Sequence, residues 1–147
     1  GGMGLPQDYR KANKLWLRAG ELGCAEAYHN LANSYLNGVV VERDMKKAKH
    51  YWELAAMGGD PAGRHNLGAF EEGEGNVNRA VKHWMISAAA GLDESLDNIR
   101  EYFMDGDASK EDFAKALRAH KEAADEMKSD QREAAAENQA FSLYGVS

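Results

Sequence analysis

Asp44-Met45-Lys46-Lys47-Ala48-Lys49-His50-Tyr51-Trp52-Glu53-Leu54-Ala55-Ala56-Met57-Gly58-Gly59 reads as an amphipathic helix closed by glycine, and the chain repeats it. The stretch 36 residues upstream runs Asp8-Tyr9-Arg10-Lys11-Ala12-Asn13-Lys14-Leu15-Trp16-Leu17-Arg18-Ala19-Gly20-Glu21-Leu22-Gly23. The stretch 32 residues downstream runs Ala80-Val81-Lys82-His83-Trp84-Met85-Ile86-Ser87-Ala88-Ala89-Ala90-Gly91. Ala12, Ala48 and Ala80 share one register, Trp16, Trp52 and Trp84 a second, and Gly23, Gly59 and Gly91 a third. Repetition at this period is the mark of a solenoid, in which each unit buries its apolar face only against its neighbours. The tryptophans recur at helical spacing with alanines, so they read as core rather than as a ligand site.

Between these helices lie partners of the same period. Ala25, Tyr28, Leu31, Ala32, Tyr35 and Leu36 form an apolar stripe ending at Asn37-Gly38. Leu67 and Phe70 mark the next partner, which opens at Pro61, and Leu96, Ile99, Tyr102 and Phe103 mark a third over Asp93 to Met104. In the first helix Ala12, Leu15, Trp16 and Ala19 form the predicted inward stripe, with Asp8 as its cap and Gly1 to Gln7 as a preceding loop. The interval from Leu31 to Ala48 is 17 residues, whereas that from Leu67 to Ala80 is 13. A loss of four residues, about one helical turn, predicts a shorter partner helix at Gly73-Glu74-Gly75-Asn76 and a local change of twist.

The last helix opens at Ser109, three residues before Asp112, and Phe113, Ala116, Leu117, His120 and Ala123 keep the apolar period. Met127 stands where the closing glycine is due, so the helix is predicted to run on to about Ala136–Ala140 as a polar terminal cap. The expected organisation is one repeat domain with units at 8–43, 44–75 and 76–110, a capping helix at 111–140 and a tail at 141–147. Because the sequence opens inside what would be an inter-helix linker, it points to further repeats upstream or to an appended tag remnant.

Composition narrows the function. A net charge of −6, with bases interleaved among acids, argues against nucleic acid, which demands a basic stripe. One cysteine, Cys24, leaves no intramolecular disulfide and no cysteine-rich zinc site, which suits a reducing, cytoplasmic setting. No run of about 20 apolar residues is present, so no membrane insertion is expected, and no secretory peptide is visible at the amino terminus. Glu26 and His29 have the Glu-x-x-His spacing of di-iron bundles, but the equivalent position in the next unit is Ala62. His29 and His65 sit one repeat apart, too far for one metal to bridge. Cys24 has no assignable base, and Gly73-Glu74-Gly75 lacks the Gly-Lys-Ser/Thr ending of a phosphate loop. No catalytic residue, metal or cofactor is expected.

Asn30-Leu31-Ala32, Asn66-Leu67-Gly68, the Ala-x-x-x-Trp helix with its closing Ala-Ala-x-x-Gly, and the opening Gly2-x-Gly4-Leu5-Pro6-Gln7-Asp8 resemble the Sel1-like repeat. The 36-residue period fits it better than tetratricopeptide, whose period is 34. Three units span about Asp8 to Gly106, and the departures are Val39-Val40-Val41 without a second linker glycine, the short third linker and His120 in place of tryptophan. The resemblance implies an all-α, αα-hairpin solenoid, a right-handed superhelix with a long capping helix, that serves as an adaptor in protein complexes rather than as an enzyme.

By the same resemblance the Asn-Leu helices line the concave groove. With Leu31, Leu67 and Ile99 turned inward, helical spacing puts Glu26, His29, Asn30, Asn33 and Asn37 on the groove face of the first unit. His65, Asn66, Ala69 and Glu72 follow in the second unit, then Glu94, Asp97, Asn98, Glu101 and Asp105 in the third. Asn30, Asn66 and Asn98 form a ladder of amides that can either grip the main chain of an extended peptide or bond the array's own carbonyls. The acidic third unit either favours a basic ligand segment or is an ordinary solvated face. The apolar tail Phe141 to Ser147 is read as a self-association segment that docks in a groove, or as a disordered end. The rival functions are a small-molecule enzyme on the same scaffold and a purely structural spacer.

Overall fold

The computed structural model describes residues 4–38 and 42–144, with side chains from Tyr9 onward. Among them are seven helices and no strand: α1 Gly4–Glu21, α2 Ala25–Asn37, α3 Met45–Met57, α4 Pro61–Gly73, α5 Val77–Ala89, α6 Asp93–Met104 and α7 Lys110–Leu143. Each helix packs on its neighbours in the chain, and α7 also lies against α5. The result is an αα-hairpin solenoid.

The glycine register stops the helices. Gly23, Gly59 and Gly91 adopt φ of 104°, 90° and 97°, a left-handed conformation that side chains with a Cβ resist. The next residue's N–H then reaches back to a carbonyl left open by the helix end, as Cys24 does to Ala19, Asp60 to Ala55 and Leu92 to Ser87. Starts are fixed by side chains. Asp44 accepts from the N–H of Lys46 and Lys47, Asp60 from Gly63, and Ser109 from Asp112.

The alanine and tryptophan registers build the core. Ala48, Ala80 and Ala116 are buried, small enough to let helices approach closely. Trp52 centres one apolar cluster with Ala32, Ala48, Ala56 and Leu67, and Trp84 a second with Ala80, Ala88, Leu96 and Ile99. Trp16 is only half-buried, and Leu15, expected on the inward stripe, is 68% exposed. A helix side chain is buried only where a neighbouring helix covers it, and α2 covers the Trp16 side of α1.

Three further expectations are corrected. Helix α1 begins at Gly4, so Asp8 lies too deep to cap it, and Pro6 falls in the first turn, where its missing N–H is harmless. Helix α4 matches α2 at 13 residues, so the shortened interval comes out of the connector, 74–76 against 38–44. Helix α7 runs past Ala140 to Leu143, so Phe141, Ser142 and Leu143 belong to it rather than to a tail. The expectations resting on residues 1–3, 39–41 and 145–147 lie outside the described residues.

Candidate functional site

Two adjoining hollows open on the face formed by α2 and α4. The larger, about 440 Å³, has an apolar wall of Leu36, Met45, Trp52, Ala69 and Phe70, with the amides of Asn33, Asn37 and Asn66 at its rim. The smaller, about 210 Å³, is lined by Tyr9, Trp16, Asn30, Asn33, Ser34 and Asn37. Asn33 and Asn37 belong to both and form the ridge between them. The hollows are copies one repeat apart. Shifting Tyr9, Trp16, Asn30, Asn33 and Ser34 by 36 residues gives Met45, Trp52, Asn66, Ala69 and Phe70.

The structure thus gathers Asn30, Asn33, Asn37, Asn66 and Ala69 from the residues expected on the groove face. Among the described residues, asparagine side-chain bonds are those of Asn33 with His29, 3.1 Å, and of Asn76 to Glu71, 2.8 Å. Asn30, Asn66 and Asn98 are half-buried, and among the described residues their amides have no side-chain hydrogen bond.

The two histidines serve the array instead. His29 Nδ1 lies 3.6 Å from Asp60, the cap of α4, and His65 Nδ1 lies 2.7 Å from Ser95 Oγ on α6. His65 therefore ties α4 to α6, the equivalent helix of the next unit, whereas His29 Nδ1 stands beside Asp60 without a hydrogen bond. Burial holds the His65 imidazole below the ordinary histidine pKa, against the opposing pull of Glu94 and Glu72. His83 on α5 is lowered too, by burial first and then by Arg64, whose Nη1 is 3.5 Å from its Nδ1. His65, Ser95 and Ser87 form a hydrogen-bonded chain that superficially resembles a nucleophile and base. Ser95 is fully buried and Ser87 nearly so, so no substrate reaches either hydroxyl.

Glu26 and Glu94 are exposed in the first turns of α2 and α6, Glu26 at the opposite end of α2 from Leu36 and Asn37. Asp97 is exposed and paired with Arg100 at 2.9 Å, and Glu101 and Asp105 are exposed. Glu72 accepts a 2.5 Å hydrogen bond from the Tyr102 hydroxyl, which pushes the phenol up to about 12, with burial adding to the shift. That bond joins α4 to α6 where the next hollow would open. Tyr102 stands 32 residues after Phe70, and Glu72 stands 36 after Leu36.

Sequence reasoning overlooked Tyr9, Trp16, Ser34, Leu36, Met45, Trp52 and Phe70 as lining residues, and Tyr102 as a closing one. Their signal lay in the same register alignment, since Tyr9 aligns with Met45 and Val77, and Ser34 with Phe70 and Tyr102. Among the described residues no three His, Cys, Asp or Glu side chains cluster as metal ligands. Nor is any described helix long and apolar enough to cross a membrane. Phe141, Leu143 and Tyr144, foreseen as self-association residues, are exposed on the end of α7.

The profile of the Sel1 repeat matches residues 1–24 and 25–60, the second match taking in α2 and α3. The structure is similar to a protective antigen of uropathogenic Escherichia coli displaying an SLR fold, with 30% identity and a TM-score of 0.60. That likeness covers 76% of this chain and 25% of the antigen. It is also similar to a Sel1 repeat protein from Oxalobacter formigenes, with 26% identity and a TM-score of 0.66, covering 84% of this chain and 53% of that one. The chain therefore spans about a quarter and about half of these two proteins.

Proposed function

The chain is a Sel1-like repeat protein, and on that premise we propose that it is a non-catalytic interaction module that binds a peptide segment across α2 and α4. One observation supports this reading above the others. Two hollows share the ridge of Asn33 and Asn37, and the amides of Asn30 and Asn66 beside them have no partner among the described residues. An amide donates and accepts at once, so it can pair with a peptide's N–H and C=O whatever the side chains are. Apolar walls beside the ridge then supply affinity by removing a ligand side chain from water. The partner is a protein segment rather than nucleic acid, in keeping with the net charge of −6. The compartment is a reducing one, where the exposed thiol of Cys24 stays free.

Photo-crosslinking tests this. A photoreactive residue at Asn37 should capture a partner segment, and the same group at exposed Lys121 on α7 should not. Replacing Asn30, Asn66 and Asn98 by alanine should abolish the Asn37 crosslink while circular dichroism stays unchanged. Crosslinks only from Lys121 would move binding to the capping helix and end the groove reading.

A further inference from the structure

The spacing and chemistry of the two hollows, and of the closed position beyond them, specify more than a generic peptide. Resting on the groove reading above, we infer that the ligand is a polyproline-II-like segment with apolar residues three positions apart and a basic residue three further on.

The spacing follows from helix packing. Equivalent hollows are one repeat apart, and neighbouring helices pack at about 8–10 Å. An extended β-strand advances about 3.3 Å per residue and alternates its side chains, so residues three apart point to opposite faces. Polyproline II advances about 3.1 Å per residue with three residues per turn, so residues three apart share a face about 9 Å apart. Only the second conformation puts successive anchors into successive hollows. It also has no internal hydrogen bonds, which leaves its amides and carbonyls for the Asn30, Asn37 and Asn66 side chains beside the anchors.

The side-chain preferences follow from the lining. The hollow of about 440 Å³, walled by Leu36, Met45, Trp52 and Phe70, takes a large aliphatic or aromatic anchor. The hollow of about 210 Å³ over Tyr9 and Trp16 takes a smaller apolar one. At the third position, Glu101 replaces Ala69 in register, and Glu72 and Tyr102 replace Leu36 and Phe70. The tyrosine–glutamate bond closes that site to an apolar side chain. The carboxylates of Glu72, Glu101 and Asp105 give it a negative edge that complements lysine or arginine. The acidic α6 is therefore the end of the recognition site, in register with the two apolar positions.

A display library of random short linear peptides, selected on the full chain, tests the pattern. Enriched sequences should share two apolar residues three apart, with lysine or arginine three beyond the larger one. Ala69→Trp fills the larger hollow from an exposed position and should weaken those peptides at least about tenfold. Asn37→Trp, exposed at the end of α2, is the second blocking variant. Glu101→Lys should erase the basic preference while leaving the apolar pair selected. Enriched peptides without the three-residue apolar spacing, or indifferent to both blocking variants, would overturn the inference. The Asn37 crosslink decides separately whether the groove reading survives. If no sequence is enriched, the inference falls, and it takes the groove reading with it only when that crosslink fails as well.

Discussion

The tier around Trp52 and the tier around Trp84 occupy the same register, yet the first is open and the second closed. Trp84 Nε1–H donates to the His65 carbonyl at 3.2 Å, whereas the buried Trp52 Nε1–H has no hydrogen-bond partner among the described residues. A single methyl explains the difference. A Cβ on Gly68 would collide with Trp84 Nε1, and Ala32, which aligns with Gly68, has that Cβ. The indole of Trp52 is therefore held off the backbone of α2, and its N–H is left orphaned beneath the larger hollow. Above the indole, Leu36 and Phe70 leave the open tier apolar, while Glu72 and Tyr102 bond across the closed one. One repeat thus favours stability and its neighbour access.

The strongest break of this comparison is Gly68→Ala. The new methyl overlaps a fully buried indole, and the displaced N–H loses its acceptor. Overpacking and a stranded buried donor each cost about 1–3 kcal/mol, so the loss should be on the order of 2–4 kcal/mol. Urea denaturation, with tryptophan fluorescence as the probe, measures it. The reciprocal Ala32→Gly gives up about 1 kcal/mol of helix propensity and about 0.8 kcal/mol of buried methyl, offset by the bond that Trp52 can then make to the carbonyl of His29. It should cost less than Gly68→Ala, and the opposite order would refute the methyl argument.

The second break is electrostatic. Glu72→Gln removes the charge that holds the Tyr102 phenol up to about 12, and the group should titrate nearer 10. Ultraviolet titration at alkaline pH, with Tyr102→Phe as the subtraction control, follows this one phenol. Because the pair is exposed, the stability loss should stay within about 1 kcal/mol. A Tyr102 titration unmoved by Glu72→Gln would show that burial, not the bond, sets it.

Much of the frame was legible in the sequence because a repeat exposes its own register. The alanine and glycine registers and the bounds of α6 came from spacing alone, and Trp52 and Trp84 were read correctly as core. What escaped was pairwise and distant. His65 to Ser95, Tyr102 to Glu72 and Trp84 to His65 join residues 19 to 30 positions apart. Periodicity says which face a residue occupies but not what stands opposite, so the bond of His65 to Ser95 had no signal in the register. Leu15 failed similarly, since spacing places it on a stripe whose covering depends on the neighbouring helix. Of the asparagines that share a register, Asn30 and Asn66 line the two hollows and Asn98 lines neither.

The smallest effect concerns the histidines that lock the tiers together. The folded-state pKa values of His65 and His83 are depressed by burial below the unfolded value of about 6.5. Below that value the unfolded chain binds protons that the folded chain resists, so stability falls as pH falls. The loss begins near pH 6.5 and levels off once the folded-state values are passed. Thermal unfolding between pH 7.5 and 5 should show a modest fall in midpoint. His65→Gln, which retains a partner for Ser95, should flatten part of the slope, as should His83→Gln. Because His83 also faces Arg64, its share of the slope should shrink in Arg64→Gln. A wild-type midpoint that rises on acidification would mean that the tiers tolerate charged histidines, and that the His65–Ser95 contact adds little to locking α4 against α6.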